Sequence, residues 1–219
     1  MNLFSLGITD SLSPYMKGKI KLSNQVSLMC AFIGFFYAFF IYVHYKPLVI
    51  YPALLFVISS LLLILNRFGL IQISRFLASF QMLTLATLFH ASIIQANEPF
   101  LIPFFCSQLA MTLIPWLLYG FEEKGSLIAS LVICYGLLFS QEMLNKTFEV
   151  AVDVTFFKES YLNYMTYAFA LGIAVLLLIM MKSDKSENYK LVQIPWEAEG
   201  LEKESGSQED IEQNAGLLN

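Results

Sequence analysis

Long, nearly uncharged runs of apolar residues recur six times along this chain of 219 residues. They lie at about 27–45, 48–65, 74–95, 100–120, 125–143 and 163–181. The hydrocarbon core of a bilayer is about 30 Å thick and needs roughly 20 apolar residues per spanning helix. The runs match that length and lack the strict alternation expected of spanning strands. We therefore predict an all-α, polytopic membrane protein that forms a bundle of six transmembrane helices.

The composition supports this class and excludes several others. Hydrophobic residues make up 57% of the chain and charged residues 14%, whereas a soluble domain is about 45–50% apolar and about 25% charged. The net charge of −4 provides no basic field for nucleic acid. Three cysteines do not support a disulfide scaffold. The predicted partner of the apolar surface is therefore the lipid bilayer.

Lysine and arginine are distributed unequally between the two sides of the predicted bundle. One side carries nine: Lys17, Lys19, Lys21, Arg67, Arg75, Lys124, Lys182, Lys185 and Lys190. The other side carries three: Lys46, Lys146 and Lys158. Because basic loops stay on the cytoplasmic side, we expect both termini to be cytoplasmic, in a bacterial inner membrane. Four of the nine are interpreted as topology and headgroup anchors: Lys19, Lys21, Arg67 and Arg75.

The chain divides into three predicted parts. Residues 1–26 form a cytoplasmic N-terminal segment, residues 27–181 the membrane domain, and residues 182–219 a cytoplasmic tail. The tail holds four lysines and nine acidic residues, a net charge of −5, which is typical of disordered segments. We do not expect a catalytic domain in a tail of this length and composition.

Polar side chains inside the predicted helices are the candidate functional residues. A charge at the bilayer centre costs about 2.5–3.5 kcal/mol, so such residues suggest a function by default. The candidate ligand-binding residues are His90, Glu142, Gln141, Gln81 and Gln108. The sequence indicates no catalytic group and no specific metal site, and it does not identify a cofactor.

His90 and Glu142 are predicted to lie at the same depth, near the outer end of the bundle. Counted at 1.5 Å per residue, both lie about 24–26 Å along helices that run outward. We expect them to share a cavity, where they could form an ion pair. The alternatives are an interhelical hydrogen bond for His90 and a headgroup-level carboxylate for Glu142.

Two further patterns concern helix geometry. Pro103 and Pro115 lie in the fourth run, and proline in a spanning helix frees a carbonyl and bends the helix. Gly34 and Ala38 are four residues apart in the first run, a spacing that allows close backbone approach. That contact lies either within the chain or between two copies.

Short motifs at the basic side resemble a known membrane module. They are Lys19-Ile20-Lys21-Leu22-Ser23-Asn24, Leu65-Asn66-Arg67-Phe68-Gly69, Ser74-Arg75, Ile102-Pro103 and Phe121-Glu122-Glu123-Lys124. Together they resemble the six-helix N-terminal module of bacterial sensor histidine kinases and class III nucleotide cyclases, of the Bacteroidota type. The resemblance implies a module that receives a signal and passes it through helix six to a cytoplasmic enzyme. No kinase or cyclase domain follows Met181 in this chain.

The same residues also carry a physical prediction. Arg67 is expected to contact phosphate headgroups beside a tight turn that Gly69 permits. Glu122 and Glu123 follow the fourth run and could pair with Arg67 or Arg75.

Three functions remain in competition. A non-enzymatic sensor or signalling anchor, forming a homodimer with a cytoplasmic signalling partner, is the first expectation. A small transporter or channel is the second, although charges within the helices are scarce and the two halves show no internal repeat. A membrane-embedded enzyme is the third, since only His90 and Glu142 offer a pair of reactive groups.

Overall fold

The structure is a computed structural model that describes residues 3–94, 101–147, 155, 164, 166–168, 170–180 and 182. Within these ranges the ordered elements are helices, and no strand occurs. The all-α prediction is therefore confirmed for the described part of the chain. The predicted tail lies outside it, apart from residue 182.

Six helices form the described bundle, with short 3₁₀ turns between some of them. They are α1 (Pro14–His44), α2 (Ile50–Arg67), α3 (Ile71–Ile93), α4 (Ile102–Met111), α5 (Leu113–Leu118) and α6 (Lys124–Thr147). A further apolar helix covers Thr166–Met180. Four helices are long and apolar enough to cross a membrane: Pro14–His44, Lys46–Arg67, Ile71–Ile93 and Lys124–Thr147. These four indicate a multi-pass membrane protein, and the count of six spans stays a prediction.

The first helix begins well before the predicted position of residue 27. Pro14 occupies its first turn, where the missing N–H costs nothing, and the Met16 N–H donates to the Ser13 side chain at 3.3 Å. This cap starts the helix within the segment predicted to precede the bundle. The apolar run marks only the part of α1 that matches a bilayer, so the helix extends beyond the predicted span, and the boundary of the membrane domain at residue 27 stays a prediction.

The fourth predicted span is broken into α4 and α5 at Thr112. Pro115 explains the break because it has no N–H to donate to the carbonyl four residues earlier, at Met111. Pro103 occupies the first turn of α4 and does not disturb it. Of the two predicted bends, the structure therefore has the one at Pro115.

The bundle is organised around α3, and its polarity is inverted relative to a soluble protein. α1 packs on α2, and α3 contacts α1, α2, α4, α5 and α6. Serine, asparagine, glutamine and even arginine side chains are buried between the helices, while many phenylalanines and leucines lie on the outside. This arrangement suits a helix bundle whose outer surface contacts hydrocarbon.

Gly34 resolves the open question about close approach in α1. A Cβ on Gly34 would lie 2.6 Å from the Phe56 backbone nitrogen and 2.9 Å from the Pro52 carbonyl oxygen. The small residue therefore serves contact between α1 and α2 within one chain. We name the end of the bundle where α1 begins, α2 ends and α3 begins the basic end, because it carries Lys19, Lys21, Arg67 and Arg75.

Candidate functional site

Arg75 is the centre of a buried charged cluster at the basic end. Its side chain is fully buried and forms a bidentate ion pair with Glu123, with N···O distances of 2.9 and 2.6 Å. The guanidinium also donates to the Leu118 carbonyl at 2.6 Å and lies over the Tyr119 ring at 4.9 Å. Of the pairings that the sequence left open for Glu122 and Glu123, the structure shows the one between Glu123 and Arg75.

The first turns of α1 join the same cluster. The Tyr15 hydroxyl donates to Glu123 at 3.4 Å. Lys19 is buried and donates to the Leu117 carbonyl at 3.3 Å. The last carbonyls of a helix have no helical donors, so Lys19 and Arg75 bind the carbonyls at the end of α5. We call Tyr15, Lys19, Arg75 and Glu123 the charged junction.

This geometry corrects the headgroup role predicted for two of the anchors. Arg75 and Lys19 contact protein carbonyls, a carboxylate and aromatic rings, and both are buried. Arg67 is exposed and Lys21 is partly exposed, so a headgroup role stays a prediction for these two. The sequence pattern did not distinguish the groups, because all four residues are cations near a helix end.

A second polar cluster at the basic end holds the N-terminal segment. The Asn66 amide donates to the Asn24 side-chain oxygen at 2.7 Å. The Asn24 amide in turn donates to the carbonyls of Phe4 and Leu6 at 3.1 and 2.9 Å. Gly7 follows with a positive φ of 79°, and a Cβ there would lie 2.2 Å from the Asn66 carbonyl oxygen. Sequence analysis did not select either asparagine as a functional candidate.

A neutral cluster of amides and a hydroxyl lies farther toward the opposite end, between α3, α4 and α6. The Gln108 amide donates to the Gln141 side-chain oxygen at 3.1 Å and to the Thr87 hydroxyl at 3.4 Å. The Gln141 amide donates to Asn145 at 2.8 Å. All four side chains are buried. We call these four residues the amide cluster; it contains two predicted site residues, Gln108 and Gln141.

His90 adjoins the amide cluster, and Glu142 does not. His90 is buried, stacks on Phe104 with ring centroids 5.0 Å apart, and has the Gln108 side chain as a polar neighbour. Glu142 has a side chain that is 71% exposed and forms an ion pair with Lys146 at 2.8 Å. The predicted cavity shared by His90 and Glu142 is therefore wrong. Successive helix residues point about 100° apart, and the inward position belongs to Gln141.

Gln81 lies apart from the other candidates. Its amide donates to the Ser59 hydroxyl at 3.1 Å, which links α3 to α2 in the middle of the bundle. A second buried link, from Ser79 to Ser130 at 2.9 Å, joins α3 to α6. Both contacts are interhelical hydrogen bonds of the kind that stabilise membrane helix pairs.

A groove of about 390 Å³ lies between the helices. Its walls come from four helices and from Thr166, and most of them are apolar or aromatic. The wall residues are Phe32, Ile33, Phe36, Tyr37, Phe40, Tyr51, Pro52, Leu55, Met82, Leu85, Ala86, Phe89, Phe104, Ser107, Met111 and Thr166. Sequence analysis did not predict this groove, because its walls are assembled from separate apolar runs.

Metal binding has no support in the described residues, which contain no group of three or more His, Cys, Asp or Glu side chains able to hold an ion. The chain matches no known family model, no curated protein and no solved structure. The features that can support a function are therefore the charged junction, the amide cluster and the groove.

Proposed function

We propose that the chain is a six-span membrane sensor or signalling anchor with both termini on the cytoplasmic side. Four long apolar helices and two shorter ones coincide with the six predicted runs, and the nine-to-three distribution of basic residues supports this orientation. In keeping with the resemblance to kinase and cyclase modules, the proposal includes a homodimer and a cytoplasmic signalling partner.

The observation that carries this proposal is the charged junction. A buried ion pair is weak evidence for stability, because desolvation offsets the attraction, whereas ionisable groups in membrane helices suggest a function. Arg75, Lys19 and Glu123 connect the starts of α1 and α3, the end of α5 and the turn before α6. A shift of α5 would therefore be transmitted to the N-terminal part of α1.

The helices also connect this junction to the amide cluster. α3 carries Thr87 and His90 toward one end and Arg75 at the other. Gln108 lies on α4, which meets α5 at the break beside Thr112. We propose that a signal perturbs the amide cluster, tilts α4 against α5, and reaches the carbonyls that Arg75 and Lys19 bind.

Coupling between the two clusters can be measured by hydrogen–deuterium exchange on the full chain in nanodiscs. Gln108→Leu should raise amide exchange in the turn of 119–124, with α2 unchanged. Gln72→Leu is the matched control, because Gln72 is exposed on α3. Changes confined to α4 and α6 after Gln108→Leu would show that the clusters are independent, and would overturn the proposal.

Topology has its own test in intact cells. A chain in which exposed Cys106 is replaced by serine should be labelled by a membrane-impermeant maleimide at Lys146→Cys and not at Lys17→Cys. Permeabilisation should then expose Lys17→Cys. Labelling of Lys17→Cys in intact cells would show the opposite orientation and contradict an output on the cytoplasmic side.

The interrupted helix at Thr112 favours a second candidate, a small transporter, because transporters often bind substrates at broken helices. Flux assays in proteoliposomes separate the two functions. With a pH-sensitive dye inside, a sensor should add no proton flux above that of empty liposomes. A proton flux that disappears in Gln108→Leu and persists in Gln72→Leu would contradict the sensor proposal and support a transporter.

A further inference from the structure

We infer that the groove binds one hydrocarbon chain of a phospholipid from the surrounding leaflet. The buried part of the groove wall includes Leu55, Met82 and Met111. These side chains offer no hydrogen-bonding group to a bound molecule beyond the weak sulfur acceptors of methionine. An occupant of this region must therefore be apolar.

The polarity of the groove changes along its length in the same direction as that of a lipid. Near the opposite end of the bundle the walls include Tyr37, Tyr51 and Thr166. The Tyr51 hydroxyl hydrogen-bonds with Ser92 at 2.5 Å, one residue before α3 ends at Ile93. Hydroxyls therefore lie toward the opposite end of the groove, and apolar side chains line its middle, in the order that the headgroup and acyl chains of a lipid would have in the proposed membrane placement.

The groove is open on the side that faces hydrocarbon. Phe32 and Phe36 form part of its rim and are 65% and 54% exposed, so a chain can enter sideways from the bilayer. Among the described elements, α1 packs chiefly on α2 and α4 packs chiefly on α3, and the groove lies between these two helix pairs. A lipid can fill it while its headgroup stays at the interface.

The size of the groove fits one chain. Its volume of about 390 Å³ falls in the usual range of about 300–1,000 Å³ for small-molecule sites. It is more than twice the roughly 150 Å³ of an engineered cavity that binds benzene. The back wall holds Phe89 and Phe104, with ring centroids 5.9 Å apart, and Phe104 stacks on His90.

This position would make the bound lipid part of the sensing region. Through Phe104, a chain in the groove lies one ring away from His90, beside the amide cluster. The inference rests on the membrane placement in the proposed function and does not require signalling. Lipid binding and signal transmission can therefore fail separately.

Photocrosslinking tests the inference on the full chain in phosphatidylcholine nanodiscs. A small fraction of the lipid carries a diazirine in the middle of one chain, and mass spectrometry locates the crosslinks. Crosslinks should concentrate on Met82 and Met111 relative to the exposed outer residues Val132 and Phe139. An equal distribution over these sites would reduce the groove to ordinary lipid contact and overturn the inference.

Variants that fill the groove provide the matched comparison. Ala86→Phe should lower crosslinking at Met82 and Met111 by about tenfold, and Ser107→Leu should lower it from the α4 side. Ala129→Phe places the same ring on the exposed face of α6 and should leave crosslinking at Met82 and Met111 unchanged. Equal losses in Ala86→Phe and Ala129→Phe would contradict a specific site.

A second probe tests whether the hydrocarbon chain in the groove belongs to a phospholipid or to a free fatty acid. A diazirine fatty acid should label the groove weakly and be displaced by unlabelled phosphatidylcholine. Strong labelling that phosphatidylcholine does not displace would assign the groove to a free fatty acid and overturn the phospholipid proposal. Gln108→Leu separates the two proposals. If its lipid crosslinking is unchanged while amide exchange at 119–124 is altered, the lipid site is intact and the variant affects signalling alone.

Discussion

The charged junction and the amide cluster bury polar groups in the same bundle by different means. In the junction, Arg75 is held by a carboxylate and a backbone carbonyl. In the amide cluster, the Gln108 amide donates to the Gln141 side-chain oxygen and to the Thr87 hydroxyl. A buried guanidinium requires a counter-charge, whereas neutral amides satisfy one another at a lower desolvation cost. The junction is therefore sensitive to the loss of one group, and the amide cluster is more tolerant.

The largest expected effect comes from removing the counter-charge. Glu123→Gln leaves Arg75 buried without its carboxylate, which should destabilise the protein by about 3 kcal/mol. This value is at the low end of the range for a broken buried ion pair, because the Glu123 side chain is 19% exposed. Thermal unfolding in mild detergent measures the loss. Glu122→Gln is the control, because Glu122 is exposed.

A rescue variant sharpens this test. Combining Glu123→Gln with Arg75→Met removes both charges and should restore part of the lost stability, because no unpaired charge is then left buried. If Glu123→Gln unfolds at the same temperature as Glu122→Gln, the junction does not depend on its charge. Its contrast with the amide cluster would then disappear.

A smaller difference, between two glycine variants, is expected where the N-terminal segment meets α2. Gly7 and Gly69 share a φ of +79°, but only a Cβ at Gly7 meets backbone, at 2.2 Å from the Asn66 carbonyl oxygen. Both alanine variants incur the cost of a left-handed backbone, about 1–2 kcal/mol. Gly7→Ala should add about 1–3 kcal/mol of steric strain. Limited proteolysis of the N-terminal segment should then be faster in Gly7→Ala than in Gly69→Ala.

Equal proteolysis of these two variants would show that the segment is not held tightly against Asn66. The basic end would then depend on the charged junction alone. The comparison is informative because the backbone cost is common to both variants and cancels in the difference.

The smallest expected effect belongs to the amide cluster. Gln141→Leu removes hydrogen bonds to Gln108 and Asn145, and each such bond in a membrane helix bundle contributes about 0.6 kcal/mol on average. A loss of about 1 kcal/mol should follow in detergent unfolding. Glu142→Gln, on the exposed side, should change stability by less than about 0.5 kcal/mol. A larger effect from Glu142 than from Gln141 would reverse the assignment of the inward position.

Local rules predicted some features and missed others. The bend at Pro115 follows from the missing N–H and was expected, whereas a pairing of Arg75 with a glutamate in the turn before α6 was only one of the possibilities that the sequence left open. The pairing of His90 with Glu142 was inferred from depth along the helices alone. Depth says nothing of the direction in which a side chain points, and Glu142 points away from the bundle.

The amino-acid sequence by itself indicated a membrane environment for this protein and an all-helical fold. Long apolar runs and scarce charges leave helices in hydrocarbon as the stable solution, because every backbone polar group must be satisfied within the helix. Only the tertiary structure decided which polar residues meet. A rotation of about 100° per residue separates Gln141 from Glu142, and the packing of α1, α3 and α4 around an open space creates the groove. These features depend on helix rotation and distant contacts, which no single run encodes.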